Sequence, residues 1–367
     1  MLKTITAIVL AAFFTGTAVH AQEETGRPVL DAAKVRAVVA NAVDDFIRPG
    51  YRDFHTAAGK LATRMEDLCA APSTETLQSA RGAFAEAAAH WARIEIVRTG
   101  PALAENRLER ILFYPDRKST GLKQVQALLA EPDEAATDIA NLPGKSVAIQ
   151  GFGALEFVLD GTGHEILSTE AESFRCRYGR AVAGNIEQIA GELASLWDAP
   201  DGIQRAWKEP GPDNPLFRDE REAMTALLGI LVHGAEMVRD QRIETFYKGE
   251  DKQRFPRQAI FWRSGNTWTM IDGNLEGLHD LVHASGMVDL LPGDYRSIIG
   301  SVDFVLKFMR RATAEMSADI EHAVTDDGQR QKLDFLLING RDLIGRLNDD
   351  YGGAIGLTSG FSFSDGD

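Results

Sequence analysis

DAAKVRAVVANAVDDFIRPGYRDFHTAA, residues 31–58, decides the fold class. Val35, Val38, Val39, Ala42, Val43 and Phe46 recur at spacings of three and four, which gathers them on one face of an α-helix. A strand alternates with period two and would scatter the same six residues over both faces. Pro49-Gly50 predicts an interruption, after which Phe54, Leu61 and Met65 carry the stripe through 51–68.

The period continues outward. Pro72-Ser73-Thr74 is a turn with Ser73 or Thr74 as N-cap of a helix over 77–97, which Gly100-Pro101 stops. Helices also fit 122–129, 146–159, 170–197, 221–247, 274–284, 294–316 and 329–349. Runs of alternating β-branched and aromatic residues are scarce, and no hairpin signal stands out, so the chain reads as all-α. Residues 198–215 hold Pro200, Gly202, Pro210, Gly211, Pro212 and Pro215 between two blocks of similar helical content. The expected architecture is two helical bundles packed together, 22–198 and 199–367.

Lys3, the apolar run 5–14 and the small residues of Ala18-Val19-His20-Ala21 have the layout of a cleavable secretory signal over 1–21, with Gln22 as the mature start. The expected location is the periplasm. Nothing later approaches eighteen unbroken apolar residues, so no membrane-spanning segment is expected. With 44% hydrophobic and 25% charged residues, the chain has material for a sizeable core. A formal charge of −15 argues against nucleic acid or anionic lipid as partners and favours cations. Cys69 and Cys176 are an even number for an oxidising compartment, and one disulfide between them is expected.

Within the apolar stretch 147–159, Glu156 is a carboxylate among hydrophobic neighbours. Burying it requires a partner, which leaves two readings: an ion pair with an arginine of another helix, or functional use of the acid. Glu95 sits in a similar setting and is the leading second carboxylate. The stretch Phe255-Pro-Arg-Gln-Ala-Ile-Phe-Trp-Arg-Ser264 places Arg263 beside Trp262, where it could pair Glu156 or hold a carboxylate or phosphate ligand. Neither a Gly-x-Ser-x-Gly elbow nor a phosphate loop occurs.

Trp91-Ala-Arg-Ile-Glu95, Glu105-Asn-Arg-Leu-Glu-Arg110, Phe113-Tyr-Pro-Asp116, Gly121-Leu-Lys-Gln-Val-Gln126, Gly151-Phe-Gly-Ala-Leu-Glu156, Arg239-Asp-Gln-Arg-Ile243 and Gly356-Leu-Thr-Ser-Gly-Phe361 resemble, in this order, segments of the imelysin-like proteins. The resemblance implies an exported protein of two related helical bundles, associated with bacterial iron uptake, in a family whose founding name refers to a peptidase. It also implies a Gly-x-His-x-x-Glu signature whose His and Glu bind metal. Here the glycine is Gly151 and the acid Glu156, but Gly153 stands where the imidazole belongs.

The expected function is therefore a non-enzymatic periplasmic binding protein for iron or another divalent metal, a small metal complex, or a membrane component of iron uptake. Its expected ligand set is Glu95, Asn106, Glu156, Arg263 and Ser264, with Glu156 and Glu95 on any metal. Two histidine arrangements compete. His233 and Glu236 restore the His-x-x-Glu spacing in the second half, and Glu276, His279 and His283 share one helical face. His279-Asp-Leu-Val-His283 also parallels a zinc-protease helix, with Asp280 in the place of the general-base glutamate, which makes a metal-dependent peptidase the alternative. A metal-free interaction protein is the third reading.

Overall fold

The computed structural model describes residues 30–358. The segment expected to be a secretory signal and the end of the C-terminal tail lie outside the described residues, among which there is no strand.

Helix α1 (Ala32–Asn41) starts at Asp31, whose Oδ1 accepts from the N–H of Ala33 at 2.9 Å. It runs through a π-helical stretch, Ala42–Ile47, into α2 (Arg48–Ala70). Pro49-Gly50 therefore does not interrupt the helix. The wider π-turn, in which the Arg48 N–H bonds the Val43 carbonyl, carries the continuous helix through Pro49, which lacks an N–H. Helix α3 (Thr74–Ile94) opens with a capping box: Ser73 Oγ accepts from the Thr76 N–H at 3.1 Å, and Thr76 Oγ1 accepts from the Ser73 N–H at 3.0 Å.

Short helices α4 (Arg107–Ile111) and α5 (Thr120–Ala130) lead to α6 (Phe152–Asp160) and the long α7 (Phe174–Asp198). After α8 (Ile203–Lys208), the second half supplies α9 (Glu220–Glu236), α10 (Thr267–Ala284), α11 (Ser297–Ala314), α12 (Ile320–Ala323) and α13 (Asp327–Gly345). Helices α9 and α13 end in π-helical turns, Met237–Ile243 and Arg346–Gly352.

Helix α2 packs along α3 and α7, and α6 closes on α3 and α7, which makes the first bundle. In the second, α10 packs on α9 and α11, and α13 on α9 and α11. The bundles share one continuous apolar core. They join where α3 lies on α10, a crossing that needs glycine: a Cβ on Gly277 would stand 2.1 Å from the Arg93 carbonyl oxygen. Helix α1 packs on α9, so the first helical rod begins in the second bundle and ends in the first. A disulfide links Cys69, near the end of α2, to Cys176, in the first turn of α7, with Cα atoms 5.5 Å apart. No described helix is long and apolar enough to cross a membrane.

Candidate functional site

Glu156 is positioned by both ends of α6. At the start, the helix expected over 146–159 breaks at Gln150-Gly151. The Gln150 side chain is taken by Arg110 Nε (3.0 Å) and the Lys145 carbonyl (2.7 Å). Gly151 passes so close to α4 that a Cβ would lie 2.2 Å from the Ile111 carbonyl oxygen. At the far end, buried Arg175 donates to the carbonyls of Phe157, Val158, Gly161 and Thr162 at 2.5–3.1 Å, which fixes the last turn of the helix and the loop that leaves it. Burial pulls the Arg175 guanidinium down to about 10, and it remains charged at neutral pH.

The partner of Glu156 comes from the second half. Residues 255–264 insert into the first bundle with Phe261 as anchor, its ring 5.2 Å from that of Phe84 and 6.2 Å from that of Phe152. Phe261 holds φ 51°, a left-handed conformation that costs a non-glycine residue about 1–2 kcal/mol. This turn aims two N–H groups at α6. Glu156 Oε1 accepts from the N–H of Arg263 (3.0 Å) and of Ser264 (3.1 Å), and Ser264 Oγ lies 3.3 Å from it. Oε2 lies 3.4 Å from Arg263 Nη1, and that guanidinium also covers the rings of Trp262 and Phe157.

Burial pushes the Glu156 carboxyl above its ordinary value of 4.5, and the Arg263 charge and the two N–H groups offset this only in part. The folded protein therefore binds a proton here more readily than the unfolded chain. Stability from this group is complete below pH 4.5 and is lost as pH rises through the raised value. Glu156→Gln should accordingly gain stability relative to wild type between pH 4.5 and neutrality, read as urea midpoints at both ends. A drift the other way would mean that the ionised acid is net stabilising.

The structure brings Glu156, Arg263 and Ser264 together, but not Glu95 or Asn106. Glu95, which caps the end of α3, meets Arg242 Nη2 at 2.5 Å and Asn274 Nδ2 at 2.8 Å, all three side chains being buried. The expected convergence of the two acids is thus corrected: each is neutralised by its own partner from the second half. Asn106 is exposed, in a left-handed turn before α4.

The donor set at Glu156 does not fit a resident metal ion. Its Oε1 already takes three donors, a guanidinium faces Oε2, and no imidazole shares its helical face. Gly153 has a different consequence. It is exposed, no atom of the described residues outside its own helix lies within 4 Å of a Cβ built there, and it borders a cavity of about 100 Å³. Leu112, Tyr114, Phe157, Arg257, Trp262 and Arg263 line that cavity. Tyr114 steadies its wall by donating to the Gln258 carbonyl at 3.0 Å.

His233 Nδ1 and Glu236 Oε2 pair at 3.0 Å on α9. Glu276 does not join the histidines of α10, because Arg310 Nη2 holds it at 2.8 Å. Asp280, expected in a general base's place, bonds Arg93 Nε at 2.8 Å and His279 Nδ1 at 3.1 Å, which removes the free carboxylate a peptidase would need there. Sequence reasoning missed Arg175, Arg242 and Phe261. Arg242 stands in a segment quoted for its family resemblance, but no local pattern pairs it with an acid 147 residues away.

An all-helical pair of bundles, tied through a buried carboxylate in a Gly-x-x-x-x-Glu segment, defines the class. The imelysin family model (peptidase M75) matches residues 47–346, and the chain belongs to that family. An imelysin-like protein from Psychrobacter arcticum 273-4 has a similar structure, with TM-score 0.73 and 17% identity over 92% of this chain and 100% of that one. A protein from Parabacteroides distasonis ATCC 8503, described as an iron-regulated protein A precursor, gives TM-score 0.71 and 15% identity over 90% and 97%. At these identities the likeness establishes the fold. No curated protein matches.

Proposed function

We propose that the protein acts outside the cytoplasm as a non-enzymatic binding protein in iron acquisition, taking an anionic arm of a small metal complex into the cavity beside Gly153. The observation that carries this reading is the cavity itself, where Arg263 and Arg257 meet an indole at the junction of α6 with the second half, while its two carboxylates are already engaged, Asp116 by N–H groups at the start of α5 and Glu156 by Arg263 and Ser264. Guanidinium groups beside an aromatic ring suit a planar carboxylate. About 100 Å³ admits such a group but not a whole drug-sized ligand. The link to iron rests on the family and on the description of the Parabacteroides protein. A disulfide across the first bundle accords with an oxidising compartment.

Ferric citrate, with citrate alone as control, is the probe, and tryptophan fluorescence reports through Trp262. Saturable quenching is expected in wild type. Gly153→Phe fills the cavity from an open helical position, so affinity should fall at least about tenfold, or about 1.4 kcal/mol. Its thermal midpoint should not drop, because any side chain but proline raises helix propensity over glycine. No quenching in wild type, or unchanged affinity in Gly153→Phe, would defeat the reading.

A further inference from the structure

We propose that His279, His283 and Asp303 form a binding site for a divalent transition-metal ion of the zinc class, between α10 and α11. Among the described residues these three are the one set of histidine and carboxylate ligands whose donor atoms all fall within 4.8 Å of one another. The histidines are one turn apart on α10, with ring centroids 4.5 Å apart, and His283 Nε2 lies 2.7 Å from Asp303 Oδ1 on α11. Tetrahedral zinc with bonds of about 2.0–2.1 Å spaces its ligand atoms about 3.4 Å apart. The observed spacings, from 2.7 Å up to no more than 4.8 Å, bracket that value, and the three side chains are partly exposed.

Orientation is supplied from outside the cluster. Asp280 Oδ1 lies 3.1 Å from His279 Nδ1, and its other oxygen is anchored by Arg93 Nε at 2.8 Å. A proton held on Nδ1 by that carboxylate leaves the Nε2 lone pair for the metal, the usual arrangement of a carboxylate behind a ligating imidazole. Arg310 engages Glu276 and Asp272 instead of Asp303. Two imidazoles, one carboxylate and an open position for water suit a borderline divalent ion better than calcium or magnesium. The site is separate from the Glu156 cavity and stands whether or not the proposed function holds.

The test titrates the tag-free chain with Zn²⁺ by calorimetry and with Co²⁺ by its visible absorption. One equivalent should bind. His279→Gln, His283→Gln and Asp303→Asn should each weaken Zn²⁺ at least about tenfold, Asp280→Asn by about tenfold, and Glu156→Gln not at all. Circular dichroism checks the fold of each variant, and the near-isosteric Asp303→Asn decides alone if a histidine variant is unstable. Wild type binding no more tightly than the double variant His279→Gln/His283→Gln, or binding lost in Glu156→Gln, would overturn the assignment.

Discussion

Arg242→Met is expected to destabilise the protein by about 3–5 kcal/mol, because it removes the guanidinium bonded to buried Glu95 and leaves only the more weakly coupled Arg98 charge to offset the acid. Arg242 is 1% exposed and Glu95 3%, so water cannot replace the lost partner. Of its side-chain hydrogen bonds Glu95 would keep the one from Asn274 Nδ2, which also serves the Ala92 carbonyl at 2.6 Å. The intact pair is itself worth little. Arg242 Nε and Nη1 find no hydrogen-bond partner among the described residues, and part of the attraction only offsets the cost of burying both charges. The double variant Glu95→Gln/Arg242→Met should therefore recover most of the lost stability. Urea denaturation of the two single variants and the double one closes the cycle. A double variant as unstable as Arg242→Met would show that the arginine matters for packing, through its stacking 5.0 Å from Tyr114, rather than for charge.

Removing the Cys69–Cys176 disulfide should cost about 4–5 kcal/mol on the chain-entropy account, because the bridge closes a loop spanning 107 residues. It ties α2 to α7, which lie along one another in the first bundle, so reduction frees the unfolded chain far more than it disturbs the fold. Thermal denaturation of Cys69→Ala/Cys176→Ala should match that of wild type held in reductant. A loss below about 1 kcal/mol would mean that the unfolded chain stays compact in this region without the bridge.

The helices were legible because their apolar stripes are long and regular; α2 and α3 bury one face each, and the period reports this directly. Pro49 misled because a π-turn carries the helix through it, and nothing in the residues marks that turn. The break before α6 was invisible for a similar reason: Gln150 is held by Arg110 and the chain crosses α4 at Gly151, contacts that override helix propensity from outside the segment. The Glu156 partnership was readable in part. A carboxylate in an apolar run needs a donor, and Arg263 in an aromatic stretch is a natural one, although the two N–H groups depend on the left-handed turn at Phe261. Asp303 was out of reach, since only the packing of α11 on α10 brings it to the histidines.

Glu156 clamps the inserted segment to α6, and its bonds to Arg263 and Ser264 leave it unsuited to hold a metal ion. Elemental analysis of tag-free wild type and Glu156→Gln after exposure to Fe²⁺ and Zn²⁺ tests it most directly. Equal metal content is expected in the two proteins, with any bound ion lost instead on replacing His279, His283 or Asp303. Metal held by wild type and lost in Glu156→Gln, with the fold intact, would contradict it.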